Sequence, residues 1–118
     1  MGRRRLILLA VVLAGCGPTP PQAPGPQAHQ LNTSLSSISS ACGQATEIQT
    51  FSGGGRALAK SAREAAQKVP TLARIYKQNR NWIFQGKSVA ELVVMTKTYL
   101  DECGLHDPAR RLQQAVSG

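Results

Sequence analysis

The sequence predicts an all-α fold: a small bundle of four to five helices, closed by one disulfide and preceded by a Pro-rich tether. Three observations carry this. Beyond His29, apolar residues recur at intervals of three and four, the period of a helix with one buried face. Almost no stretch alternates as a strand would. Cys42 and Cys103 both fall on those apolar stripes. The 118 residues suffice for one small domain and no second core. No apolar run reaches the roughly 18–20 residues of a spanning helix, which excludes a polytopic membrane protein. An apolar content of 42% with 17% charged residues excludes a wholly disordered chain. The lack of strands also argues against nucleotide-binding sheets and large multi-step enzymes.

The chain opens with Arg3, Arg4 and Arg5, followed by an unbroken apolar run from Leu6 to Leu13. A basic region before a short apolar one is the layout of a secretory signal. The run ends in Leu13-Ala14-Gly15-Cys16, which resembles the lipobox of bacterial lipoprotein precursors. That resemblance implies a diacylglyceryl group on the Cys16 thiol, cleavage just before it and acylation of the new amine. The competing reading is a short N-terminal core helix with a chance cysteine; charge, length and tetrad together favour the signal. The arginines also suit twin-arginine export, but any basic leader would look the same, so the general secretory route is preferred. The expected organisation is a signal over 1–15, a lipidated cysteine and linker over 16–28, and a helical domain over 29–118. The expected location is the bacterial envelope, anchored by lipid such as palmitate. In a Gram-negative cell, Gly17 in place of Asp points to the outer membrane, facing the periplasm; otherwise the site is the outer face of the plasma membrane. Two or more acyl chains hold a protein stably where one does not. Without the signal, eleven basic side chains face six acidic ones, and the net charge falls from +8 to +5. Much of the basicity therefore belongs to the leader.

Residues 17–28 hold Pro18, Pro20, Pro21, Pro24 and Pro26 and no charge. Repeated proline fixes φ and removes donors, so this stretch reads as polyproline-like or disordered. At about 3.1 Å per residue, such a spacer would reach roughly 35–40 Å.

The first helix is read from Leu31, Leu35, Ile38, Cys42, Ala45 and Ile48, with many intervening serines that leave it dependent on packing. Gly43 is a point where it loosens or ends, and Ser52-Gly53-Gly54-Gly55 breaks the chain. A second run begins near Arg56 with Leu58, Ala62, Ala65 or Ala66, and Val69 inward. Pro70 disfavours helix at Val69, so the run ends or kinks there and restarts with Pro70 in the first turn. Leu72, Ile75, Tyr76 and Ile83 carry it toward a stop at Gln85-Gly86. Ser88-Val89-Ala90-Glu91 matches a capping box. It opens a helix whose inward stripe is Val89, Leu92, Val93, Thr96, Tyr99, Leu100 and Cys103. Gly104 fits the left-handed position past its end, with Leu105 as hydrophobic follower. Asp107-Pro108 reads as N-cap and first residue of a last helix, with Leu112 and Val116 inward.

With Cys16 lipidated, two cysteines remain in an exported protein, which is the arithmetic of one Cys42–Cys103 disulfide. A reactive Cys103 beside His106 and Asp107 is the competing reading, and it lacks the second nearby thiol that oxidoreductases need. Other chemistry lacks parts. His29 and His106 are the only histidines, and no metal set with usable spacing exists. The carboxylates look like capping and surface residues. Gly53–Gly55 follows no strand and precedes no Gly-Lys-Ser/Thr, so it is a turn and not a phosphate cradle. Asn32-Thr33-Ser34 is a glycosylation sequon in letters only. No catalytic residue and no cofactor is assigned.

One surface feature remains. From Arg56 to Lys97 there are nine basic residues against Glu64 and Glu91, and Arg74, Lys77, Arg80 and Lys87 interleave with Tyr76, Trp82 and Phe84. Such a pattern grips phosphates, anionic lipid or nucleic acid. The plainer account puts the aromatics in the core and the charges on a solvated face, and it is preferred because so few aromatics are available. Trp82-Ile83-Phe84 are consecutive, so one must point away; Trp82 is the candidate for a partner contact.

A small lipoprotein bundle with a disulfide between an early and a late helix resembles the pilotins of type II secretion. The likeness rests on architecture and the two cysteines; no motif aligns and no residue is carried over. It implies a groove receiving a partner helix, expected between the helices bearing Leu72–Ile83 and Val89–Leu100. The leading function is thus a non-enzymatic, membrane-anchored module that binds an envelope protein and assists secretion or assembly. The tentative contacts are Arg74, Tyr76, Lys77, Arg80, Trp82 and Lys87. The alternative is an electrostatic binder of anionic lipid, nucleic acid or envelope polymer through 74–87. Nucleic acid is the least expected partner, and no metal is expected.

Overall fold

Leu31, Ile38, Cys42 and Ala45 are all buried to 1% exposure or less, and one long helix, α1 (Gly25–Phe51), carries them. The structure, a computed structural model, describes residues 20–51 and 56–118. Cys16, the leader and the Ser52–Gly55 break lie outside the described residues. After α1 come α2 (Arg56–Ala66), α3 (Val69–Asn79), the two-residue strands β1 (Ile83–Phe84) and β2 (Lys87–Ser88), α4 (Val89–Glu102) and α5 (His106–Ser117). The all-α bundle expected from the periodicity is what forms. No helix among the described residues is long and apolar enough to cross a membrane.

The helices return on one another in order. Arg74 donates to Gln30 Oε1 (2.8 Å) and Gln27 to Gln78 Oε1 (3.5 Å), a register in which α3 runs antiparallel to the start of α1. The α2–α3 run breaks at Gln67-Lys68 and restarts with Val69 and Pro70 in its first turn, as proline's missing donor allows. Small residues line the α1–α2 contact: Ala41, Ala45, Ser61 and Ala65 are all at or below 1% exposure, so the two backbones approach closely. Leu72, Ile75, Val89, Leu100 and Leu112 complete the core between α3, α4 and α5. Cys42 and Cys103 are joined, with Cα atoms 5.5 Å apart. The bridge ties mid-α1 to the end of α4, and the loop of about 60 residues it closes corresponds to about 4 kcal/mol of chain entropy.

Four local expectations change. The helix of α1 starts at Gly25, four residues ahead of His29, because Pro24 and Pro26 precede or occupy a first turn that needs no proline N–H. It also passes through Gly43, whose position is exposed. The run expected to continue from α3 to Gln85 instead stops at Asn79 and turns into a β-hairpin, Ile83 pairing with Ser88 and Phe84 with Lys87. Gln85 and Gly86 take positive φ (53° and 81°) at its tip, the backbone of a two-residue primed turn. Finally, α5 is capped by Leu105, so Asp107 lies in the first turn and not at the N-cap.

The α4 boundaries follow the sequence closely. Ser88 Oγ accepts from the Glu91 N–H at 3.1 Å. At the other end Leu105 N–H bonds Leu100 O (2.8 Å) and Gly104 N–H bonds Asp101 O (3.1 Å), with Gly104 at φ 87°. This is a complete Schellman closure.

Candidate functional site

The residues of α4 divide unevenly between core and solvent. Val89, Val93, Thr96 and Leu100 are buried, spaced at three and four. The face beside them is also apolar and, among the described residues, uncovered: Val94 is 64% exposed, Met95 46% and Tyr99 43%. Tyr99 was expected on the inward stripe and lies instead at its edge, its backbone carbonyl 3.6 Å from Cys42 Sγ. Met95 and Tyr99 form one wall of a groove whose other wall is Leu35 and Ile38 of α1, with a volume of about 490 Å³. From Leu92 to Glu102 this face extends about 15 Å along the helix axis. Contiguous exposed apolar surface on a small domain marks a contact site. Sequence reasoning missed it, although Val93-Val94-Met95 held the signal: three consecutive apolar residues on a helix cannot all face one core.

The groove expected between α3 and α4 exists only as a smaller depression of about 360 Å³. It is floored by Val93 and flanked by Tyr76 and Lys97, and α5 crosses it with Leu112 and Val116. Val94 lines both this depression and the α1–α4 groove.

Of the six residues expected to touch a partner, Arg74, Lys77 and Arg80 are exposed, while Tyr76, Trp82 and Lys87 are half-buried. Tyr76, Trp82 and Phe84 pack against the core, so the aromatics divide from the charges and Trp82 does not stand clear of the surface. Arg80 donates to the Tyr76 hydroxyl (3.3 Å). Arg74 and Lys77 flank a shallow hollow with Pro70, Ala73 and Ala115. Among the described residues, the ion pairs formed by lysine or arginine are Lys97–Asp101, Arg110–Asp107 and Arg111–Asp107, so the basic side chains of α3 have no carboxylate partner.

At the opposite end, Asp101 accepts from Lys97 Nζ (3.4 Å) and from His106 Nδ1–H (3.1 Å). The hydrogen bond from His106 first, then Lys97, holds its carboxyl below the usual value. Asp107 is lowered likewise, chiefly by its hydrogen bond from Arg111 Nε at 2.8 Å. The Asp101 carboxylate thus joins α4 to the start of α5 at the surface, while Asp107 pairs within α5. Among the described residues, no group of three His, Cys, Asp or Glu side chains is placed to hold a metal ion. No family model matches the chain, and no curated protein or solved structure matches it either.

Proposed function

We propose that this chain is a lipid-anchored lipoprotein of the bacterial envelope whose disulfide-closed domain binds a helix of a protein partner and catalyses no reaction. The basic leader, the apolar run and the Leu13-Ala14-Gly15-Cys16 tetrad support the anchor. The observation that carries the binding role is the uncovered Val94–Met95–Tyr99 face beside Leu35 and Ile38. An apolar channel about three helical turns long suits an amphipathic helix presenting anchors at helical spacing. Its apolar walls favour a large apolar anchor, in the kind of desolvated pocket where hot spots cluster.

The test uses the full chain expressed in its own envelope. Labelled palmitate should enter the wild-type protein and not Cys16→Ser. A photo-crosslinking residue at Met95 should then capture one protein species, and Val94→Asp should abolish that capture while the same probe at exposed Gln44 captures nothing. A crosslink between two copies of the chain would replace the partner with self-association. Equal labelling at Met95 and Gln44 would overturn the site.

A further inference from the structure

We propose that the end of the bundle from which the N-terminal chain emerges rests on an anionic phospholipid leaflet. Lys77, Arg80 and Lys87 then meet the headgroups and the α1–α4 groove stays open to the side. The inference builds on the reading of Cys16 as the lipid-bearing residue, and goes beyond it to the orientation of the domain.

The first support is the length of free chain. Residues 20–24 are not a spacer: Ile83 N–H bonds Pro21 O (2.9 Å) and Ala23 N–H bonds Ile83 O (2.8 Å), so Gln22 pairs in parallel with β1. Only Gly17, Pro18 and Thr19 separate Cys16 from Pro20. Four residue steps span at most about 14 Å, so the hairpin end of the domain cannot stand far from the anchor.

The second support is the placement of charge. The Gln30–Arg74 and Gln27–Gln78 contacts put Arg74, Lys77 and Arg80 alongside the first turns of α1, and Lys87 is in the hairpin that holds Pro21–Ala23. Among the described residues, the one acidic side chain at this end is Glu91, in the first turn of α4, and the last turn of α5 also reaches it, Ala115 lying beside Arg74 and Lys77. Of the others, Glu47 lies far along α1, Glu64 ten residues before Arg74 in the returning run, and Asp101, Glu102 and Asp107 beside the disulfide end of α4 and the start of α5. Where the tether attaches there are thus four basic side chains against one acidic one; Arg56, Lys60, Arg63 and Lys68 against Glu64 form a like excess on the α2 run, which returns from the far end of α1. Each Lys or Arg near an anionic surface strengthens association about fivefold at physiological ionic strength.

Trp82 is the single tryptophan of the chain and flanks the same hairpin, so it reports on this end directly. The full lipidated protein is incorporated into vesicles of phosphatidylglycerol and phosphatidylcholine, or of phosphatidylcholine alone, each carrying lipid brominated next to the headgroup. Trp82 emission should be quenched several-fold more on the anionic vesicles. Raising salt from about 0.01 to about 1 M shortens screening from about 30 to 3 Å and should erase the difference. Lys77→Glu/Arg80→Glu, confirmed folded by its helical circular dichroism, should behave on anionic vesicles as the wild type does on neutral ones; the salt titration serves if that variant does not fold. Flotation separates the two readings. Protein that does not float with vesicles overturns the anchor and this orientation together. Protein that floats, with quenching equal on both lipids at low salt, overturns the orientation and leaves the anchor standing.

Discussion

The backbone of Ile83 holds the chain entering the domain on both sides: its N–H bonds Pro21 O and its carbonyl accepts from Ala23 N–H. A third strand-like segment is thus added to the β1–β2 hairpin by residues the proline content marks as spacer. A domain beginning at Pro24 loses both bonds and leaves two half-buried backbone groups of Ile83 to water. At about 1 kcal/mol net for each hydrogen bond, its urea-unfolding free energy should fall by about 1–2 kcal/mol relative to a domain beginning at Pro20. Equal midpoints and slopes would show that the segment contributes nothing.

The disulfide joins elements that pack early in the chain to elements that pack late, so its loss loosens α1 against α4. Cys42→Ser/Cys103→Ser should lower stability by about 4 kcal/mol, less whatever strain the bridge carries. A domain of this size has net stability of roughly 5–15 kcal/mol. The double variant should therefore show a much earlier thermal transition, which circular dichroism follows; an unchanged transition would refute a stabilising bridge.

What the residues disclosed in advance follows from how local each signal is. Ser88 with Glu91, Gly104 with Leu105, and Pro70 act within one turn of the backbone, and each marks a helix boundary where the structure has one. The cysteine pair was legible because, on the expectation that Cys16 bears lipid in an exported chain, two thiols leave one pairing. The hairpin was not, since two-residue strands carry too few positions for alternation to register, and its turn uses Gln85 where Asn or Gly signals a positive φ. The start of α1 was obscured because proline reads as linker in a cluster but is welcome in a first turn. Asp107 looked like a cap, yet the Schellman closure at Gly104 leaves Leu105 to begin α5 directly. Val94 and Met95 were passed over because a single inward stripe accounts for α4 without them, and which second face is covered depends on α1, distant in sequence.

Two glycines test backbone conformation with opposite sign. Gly43 lies inside α1, exposed, with nothing within 4 Å of an added Cβ; Gly43→Ala should raise stability by about 0.5–1 kcal/mol. Gly86 also has open space but sits at φ 81°, so Gly86→Ala should lower it by about 1–2 kcal/mol. Urea titrations of the two variants against the parent decide both; shifts of the same sign would contradict the helix through Gly43 or the turn at Gly86.

Burial separates the bundle core from the exposed apolar face of α4 by energetics alone. Ile75 is at 0% exposure among α3, α4 and α5, and Ile75→Ala should cost about 2–5 kcal/mol through lost burial and the cavity left. Val94→Ala removes a side chain already 64% exposed and should stay within about 0.5 kcal/mol, as surface substitutions do. A Val94 variant that unfolds the domain would mean that its face is covered within the folded chain, and the docking groove would have to be abandoned.

Asp101 and Asp107 both titrate lower in the folded domain than their usual value of 3.8. The unfolded chain therefore binds more protons than the folded one across the interval between the two values, and stability falls as pH drops through it. The contribution is fully present above the ordinary carboxylate range of about 4 and is lost as each folded-state value is passed. Asp107→Asn removes the carboxylate that Arg111 and Arg110 hold, so part of this acid dependence should vanish. Urea midpoints measured from neutral pH downward should decline for the parent below the carboxylate range and decline less for Asp107→Asn. Raised salt should narrow the gap between the two curves, because both partners are exposed and screened. Parallel curves at low salt would show that the α5 first-turn pair has no share in acid stability.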